Sequence, residues 1–134
     1  MAAHEKFNFG SLEELRGKIA ALGVEIALTE DLSPLKNSVR VGHLTAPNAM
    51  AVLPMEGCDS QPDGSPSELV ERRYMRFAGG GAGLLWWEAC AVAEEGRANE
   101  LQMMMTEKNV GQFSELLKKT NGEAARLNGQ QHRP

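Results

Sequence analysis

Two short runs constrain this chain more than anything else in it. Ala49-Met50-Ala51-Val52-Leu53 and Gly83-Leu84-Leu85-Trp86-Trp87 carry no polar side chain. Side chains of a strand alternate between its two faces, so a strand that is apolar throughout calls for cover on both. Trp86 and Trp87 then face opposite ways, and both read as core. The first run passes through Pro54-Met55 to Glu56 and Gly57, and the second ends at Glu88. Between them Pro62-Asp63-Gly64 supplies turn chemistry. Ser65-Pro66-Ser67-Glu68 then reads as a capping box, with Ser65 as N-cap and Pro66 at the first helical position. Leu69, Val70, Tyr74, Phe77 and Ala78 give the helix an apolar face, and Gly79-Gly80-Gly81 stops it. Strand, helix, strand in this order is the βαβ unit of a parallel sheet.

The flanks extend the pattern. Ser11-Leu12-Glu13-Glu14 is another capping box, followed by Leu12, Leu15, Ile19 and Leu22 at helical spacing and a stop at Gly23. Val39 to Thr45 reads as a small hairpin through Gly42. A third helix is expected from about Asn109 to Lys119, with Val110, Phe113, Leu116 and Leu117 on one face and Asn121-Gly122 as its stop. A further apolar strand should come next, but Glu123 to Pro134 is polar. Two readings stay open there, a disordered terminus and a truncated coding region. Two strands alone leave a sheet edge open on each side, so self-association is expected.

Composition narrows the function classes. At 134 residues the chain can bury one core. Its formal net charge of -4, with no run of Lys or Arg, argues against nucleic acid as a partner. No apolar run approaches the ~18 residues of a membrane span, and no apolar stretch follows Met1-Ala2-Ala3-His4 to suggest a signal peptide. Cys58 and Cys90 are expected as free thiols of a reducing cytoplasm. They are too few and too far apart to read as a metal site, and neither His43 nor His132 has a partner at ligand spacing.

Several segments together resemble one family. Leu35 to Asn48 resembles the leading hairpin of the old yellow enzyme family, the FMN-dependent NADH:flavin oxidoreductases. Val52-Leu53-Pro54-Met55 is similar to the end of that family's first barrel strand. Asp63 to Glu68, Arg73-Tyr74 and Phe77 to Leu84 resemble its first βα unit. Glu88-Ala89, Val92 and Glu95-Gly96-Arg97 match the end of its second strand and the loop beyond. The resemblance spans residues 35 to 119, about the first third of a barrel of ~250 residues. It implies an α/β chain that is the N-terminal portion of a (β/α)8 TIM barrel, truncated, with a leading β-hairpin. Residues 1–34 would be a helical lead-in, 35–122 the first βα units, and 123–134 a polar, disordered tail.

The same resemblance implies an enzyme that passes hydride from NAD(P)H through FMN to an activated alkene or a similar small-molecule acceptor. Pro54, Met55, Glu56 and Ala89 would lie against the flavin ring. The alternative is a non-catalytic remnant or partner-bound α/β fragment without flavin. One position departs from the pattern: the family has Thr, Ser or Cys after the Pro-Met pair, where this chain has Glu56. The family's substrate-binding His and Asn or His, and its flavin-binding Arg residues, have no counterpart in the sequence.

Some residues keep two readings. Glu88 either reaches the mouth of a site or forms an ion pair with Arg97. Cys58 reads as a small packed residue. The glycines at 79–81 lie between helix and strand, the reverse of a phosphate loop. Met103-Met104-Met105 reads as packing or loop, because consecutive residues do not converge on one metal.

Overall fold

The computed structural model describes residues 6–131, which divide into two compact units between Leu32 and Ser33. The first holds helix α1, Leu12–Leu22. Ser11 Oγ accepts the Glu14 amide, and Gly10 N–H donates to the Glu14 carboxylate. Gly23 turns left-handed at φ 63° and returns its N–H to Ala20, which ends the helix as the sequence predicts. No residue of α1 is buried.

The second unit is a mixed α/β structure with two small sheets. Strands β1 (Val39–Val41) and β2 (Leu44–Ala46) form the expected antiparallel hairpin, with Gly42 at φ 61° in its turn. Strands β3 (Ala51–Val52) and β4 (Leu84–Leu85) pair in parallel across helix α2, Glu68–Gly79. Both strands are shorter than the apolar runs that contain them. Helix α3 runs Val110–Gln131.

Three expectations are corrected. Ser67, not Ser65, caps α2: its Oγ accepts from Leu69 N and Val70 N. Ser65 is buried two residues earlier, where its amide and hydroxyl both donate to Asp63 Oδ1. That pair of bonds holds the Asp63 carboxyl below the ordinary carboxylate range. Asn121-Gly122 does not stop α3, which continues through 123–131 of the segment read as a disordered tail; residues 132–134 lie outside the described residues. The third correction concerns burial. Val52, Leu85 and Trp87 turn toward the helices and are at least half-covered, whereas Leu53 and Trp86 on the other face are 69% and 62% exposed.

The core sits between α2, α3 and the covered side of β3–β4. Val70, Tyr74, Met103, Phe113 and Leu116 are buried together, with Phe77, Trp87 and Cys90 packed against them. Each large side chain so buried contributes about 1.5–3 kcal/mol of transfer free energy. The Trp87 ring stacks on Tyr74 at 4.7 Å, and Phe77 meets Tyr74 edge-on at 5.9 Å. Met103 is the most buried of the three consecutive methionines, and Ala91 N–H donates to its carbonyl at 2.8 Å. Lys119 of α3 bridges to Glu71 of α2 on the surface.

At their N-terminal ends β3 and β4 are fastened by one side chain. Asn48 Oδ1 accepts from Met50 N and Gly83 N, while its Nδ2 donates to Gly81 O at 2.7 Å. Gly83 is needed there, because a Cβ would overlap the Asn48 carbonyl at 2.5 Å.

Candidate functional site

Parallel pairing sends both chain exits to the same end of the sheet. From β3 the chain runs Leu53-Pro54-Met55-Glu56-Gly57, and from β4 it runs Trp86-Trp87-Glu88-Ala89. Pro54, Met55, Glu56 and Ala89 are all exposed. Gln102, which is buried, links two of them: its Nε2 lies 3.3 Å from Glu56 Oε1 and 3.4 Å from the Ala89 carbonyl. Its orientation is fixed chemically. Ala98 N–H can only donate, so the atom facing it at 2.7 Å is Oε1, and the amide NH2 must face Glu56 and Ala89.

One residue further in, both exits meet a buried charge network. Glu88 is 4% exposed. Its Oε1 accepts from Arg73 Nη2 at 2.7 Å and from the Tyr74 hydroxyl at 3.3 Å. Its Oε2 accepts Gly57 N–H at 2.9 Å. Its own N–H donates to Tyr74 Oη at 2.8 Å. Arg73 also grips Asp59 with both terminal nitrogens, at 2.6 and 2.9 Å. The Asp59 bonds, with Glu88 behind them, raise the Arg73 pKa further above its ordinary value. Burial raises the Tyr74 phenol to about 12, and burial also raises the Cys90 thiol.

Glu88 is therefore a structural ion-pair residue, but its partner is Arg73 rather than Arg97. Arg97 instead pairs with Glu94 and donates to the carbonyls of Pro62, Glu100 and Gln102, knitting the 92–102 loop to the turn before α2. Asn109 closes the other side of that turn: its Nδ2 donates to the Asp63 and Met104 carbonyls. Cys58 and Cys90 are free thiols. Cys58 is exposed rather than packed, has φ 49°, and its Sγ accepts from Asn99 Nδ2 at 3.2 Å.

Arg73, Tyr74, Asp59 and Gln102 were not among the expected site residues. One signal did exist for Arg73. It stands three residues after buried Val70 and beside Tyr74, on the apolar face of α2, where a guanidinium requires an acid. Nothing in the sequence marks Gln102, because its role depends on a loop folding back across both exits.

The exits also present free donors. Among the described residues, no acceptor takes the amide N–H of Glu56 or that of Ala89. Open backbone donors at the ends of parallel strands suit the edge of a planar, acceptor-rich ring. Arg73 and Arg97 are committed to the partners above. Among the described residues no group of His, Cys, Asp and Glu could hold a metal ion, and no helix is long and apolar enough to cross a membrane. No known protein family matches the chain, and no curated protein does either.

Proposed function

We propose that this chain forms the opening βα units of an FMN-dependent oxidoreductase barrel of the old yellow enzyme type. The observation that carries the reading is the convergence of Pro54–Glu56 and Ala89 at one end of a parallel β3–β4 pair, with two backbone donors open. Barrels of parallel strands build their active sites at that end. FMN, when bound, supplies the relay that takes hydride from NAD(P)H and delivers it to an activated alkene or similar acceptor. The chain's own part is to cradle the ring: the Glu56 and Ala89 amides donate to its edge, and Met55 and Pro54 cover it. Gln102 draws the Glu56 carboxylate toward Ala89, which answers the charge that this residue brings to the ring. Phosphate and substrate groups would come from strands outside these 134 residues. The apolar face bearing Leu53, Leu84 and Trp86 is where those strands would pack.

The second reading is a flavin-free α/β unit that completes its sheet with another copy or partner. The same open face favours it, since an uncovered row of Leu and Trp associates readily. Gel filtration of the chain with FMN, read by visible absorbance, separates the two. A flavin band that elutes with the protein, and shrinks when Ala89→Pro removes one amide donor, supports the flavin site. Protein that elutes as an oligomer without flavin, at any FMN concentration tried, supports the second reading and removes flavin binding by this chain.

A further inference from the structure

The Glu88 network does more than neutralise a buried acid. Of the two carboxylate oxygens, one is shared between Arg73 and Tyr74, and the other is given to Gly57 N–H. Gly57 directly follows Glu56 in the loop from β3, and Glu88 directly precedes Ala89 at the exit of β4. One buried side chain thus spans the two segments that would face the flavin. We infer that Glu88 is a positioning residue, whose carboxylate fixes the loop carrying Pro54, Met55 and Glu56 relative to Ala89; for flavin binding the inference rests on the function proposed above.

Every group that could let this carboxylate drift is itself held. Its backbone N–H is tied to Tyr74 Oη, and Tyr74 is buried under Trp87. Arg73 cannot swing away without breaking two bonds to Asp59, an aspartate on the same loop two residues beyond Gly57. The loop is therefore held at two places, Gly57 and Asp59, by a linkage whose far end is the β4 exit. Gly57 fits this arrangement for a steric reason. A Cβ at that position would overlap the Arg73 guanidinium, so a larger residue would have to push Arg73 away from Glu88 and Asp59. Asn48 fastens the opposite end of the strand pair, so the two exits are registered from both ends.

The test is amide hydrogen exchange on the full chain, paired with FMN titration, for the wild type and Glu88→Leu, Glu88→Gln and Gly57→Ala. A bond to a charged acceptor is worth about tenfold or more in local protection. Glu88→Leu is expected to speed exchange at the Gly57 amide by about that factor relative to the helix interiors of α2 and α3, and to weaken FMN binding in parallel. Glu88→Gln keeps one acceptor oxygen and should recover part of both losses. Gly57→Ala leaves Glu88 in place yet should loosen the amide at position 57, and it decides the matter should Glu88→Leu not fold. Exchange that rises equally in the loop and both helices marks a purely structural ion pair and overturns the inference, as does an unchanged loop. A wild type that takes up no FMN while its loop responds as described would remove the flavin reading and leave the hold of Glu88 on the loop supported.

Discussion

Trp86 and Trp87 are adjacent, identical and in one extended segment, yet they have opposite fates. Trp87 turns to the helices and stacks on Tyr74 within the buried cluster. Trp86 turns the other way and is 62% exposed, beside Leu84 on the same face. The two sides of the β3–β4 pair are equally apolar in sequence. Only one is answered within the second unit, because α2 and α3 both pack on the Trp87 side. Strand patterning shows that two faces want cover, but not that the chain carries enough helix or sheet to cover both.

The comparison breaks first at the tryptophans themselves. Trp87→Ala removes a large part of the core and should cost about 3–5 kcal/mol of unfolding free energy. Trp86→Ala should stay within about 0.5 kcal/mol in the monomer. Urea unfolding followed by circular dichroism measures both, and equal losses would show that the exposed face is covered in solution. Self-association through that face should fall with Trp86→Lys, read as a smaller mass in sedimentation.

The next largest effect concerns the charge network on the covered side. Arg73→Leu strands the buried Glu88 carboxylate without its cation and should cost about 3 kcal/mol. Replacing both together should recover much of that, since leaving neither charge is cheaper than leaving one. A double variant no more stable than Arg73→Leu alone would show that Arg73 acts through Asp59 instead.

A smaller effect sharpens the start of α2, where two serines compete for the capping role. Ser67→Ala removes the N-cap acceptor and should cost about 1 kcal/mol in the same unfolding assay. Ser65→Ala spares the cap and acts through Asp63. The Asp63 carboxyl lies below its ordinary value, so its contribution is present above that value and is lost as the pH falls through the lowered one. Ser65→Ala should therefore lower stability at neutral pH, leave it nearly unchanged below the lowered Asp63 value, and so flatten the acid limb of the stability curve.

The gentlest probe is Tyr74, the chain's single tyrosine. Its phenol ionises at 10.0 when unfolded and at about 12 in the buried cluster. The neutral form is favoured by folding, so this contribution is complete below pH 10 and disappears as the pH rises toward 12. Phenolate absorbance should titrate at the higher value in the folded chain. A midpoint near 10 would mean that the Tyr74–Trp87 side is no drier than the Trp86 side.

Much of this protein was determined by local sequence. Ser11 with Glu14, the Gly42 turn, the apolar face of α2 and the parallel strand–helix–strand order follow from short-range rules of capping, turn chemistry and periodicity, and the structure follows them. Pro54, Met55, Glu56 and Ala89 share one end of the sheet because parallel strands leave their exits together. Other features needed the tertiary structure. Choosing Ser67 over Ser65 depended on Asp63 taking the Ser65 hydroxyl. Running α3 through Gly122 shows that an interior glycine, at a cost of about 1 kcal/mol, need not end a helix. Pairing Glu88 with Arg73 rather than Arg97 depended on which arginine α2 carries on its inner face. Gln102 joined the site only through the fold of the 92–102 loop. For the serines and the arginines the sequence offered two chemically equivalent partners, and the backbone path brought one of them within bonding distance.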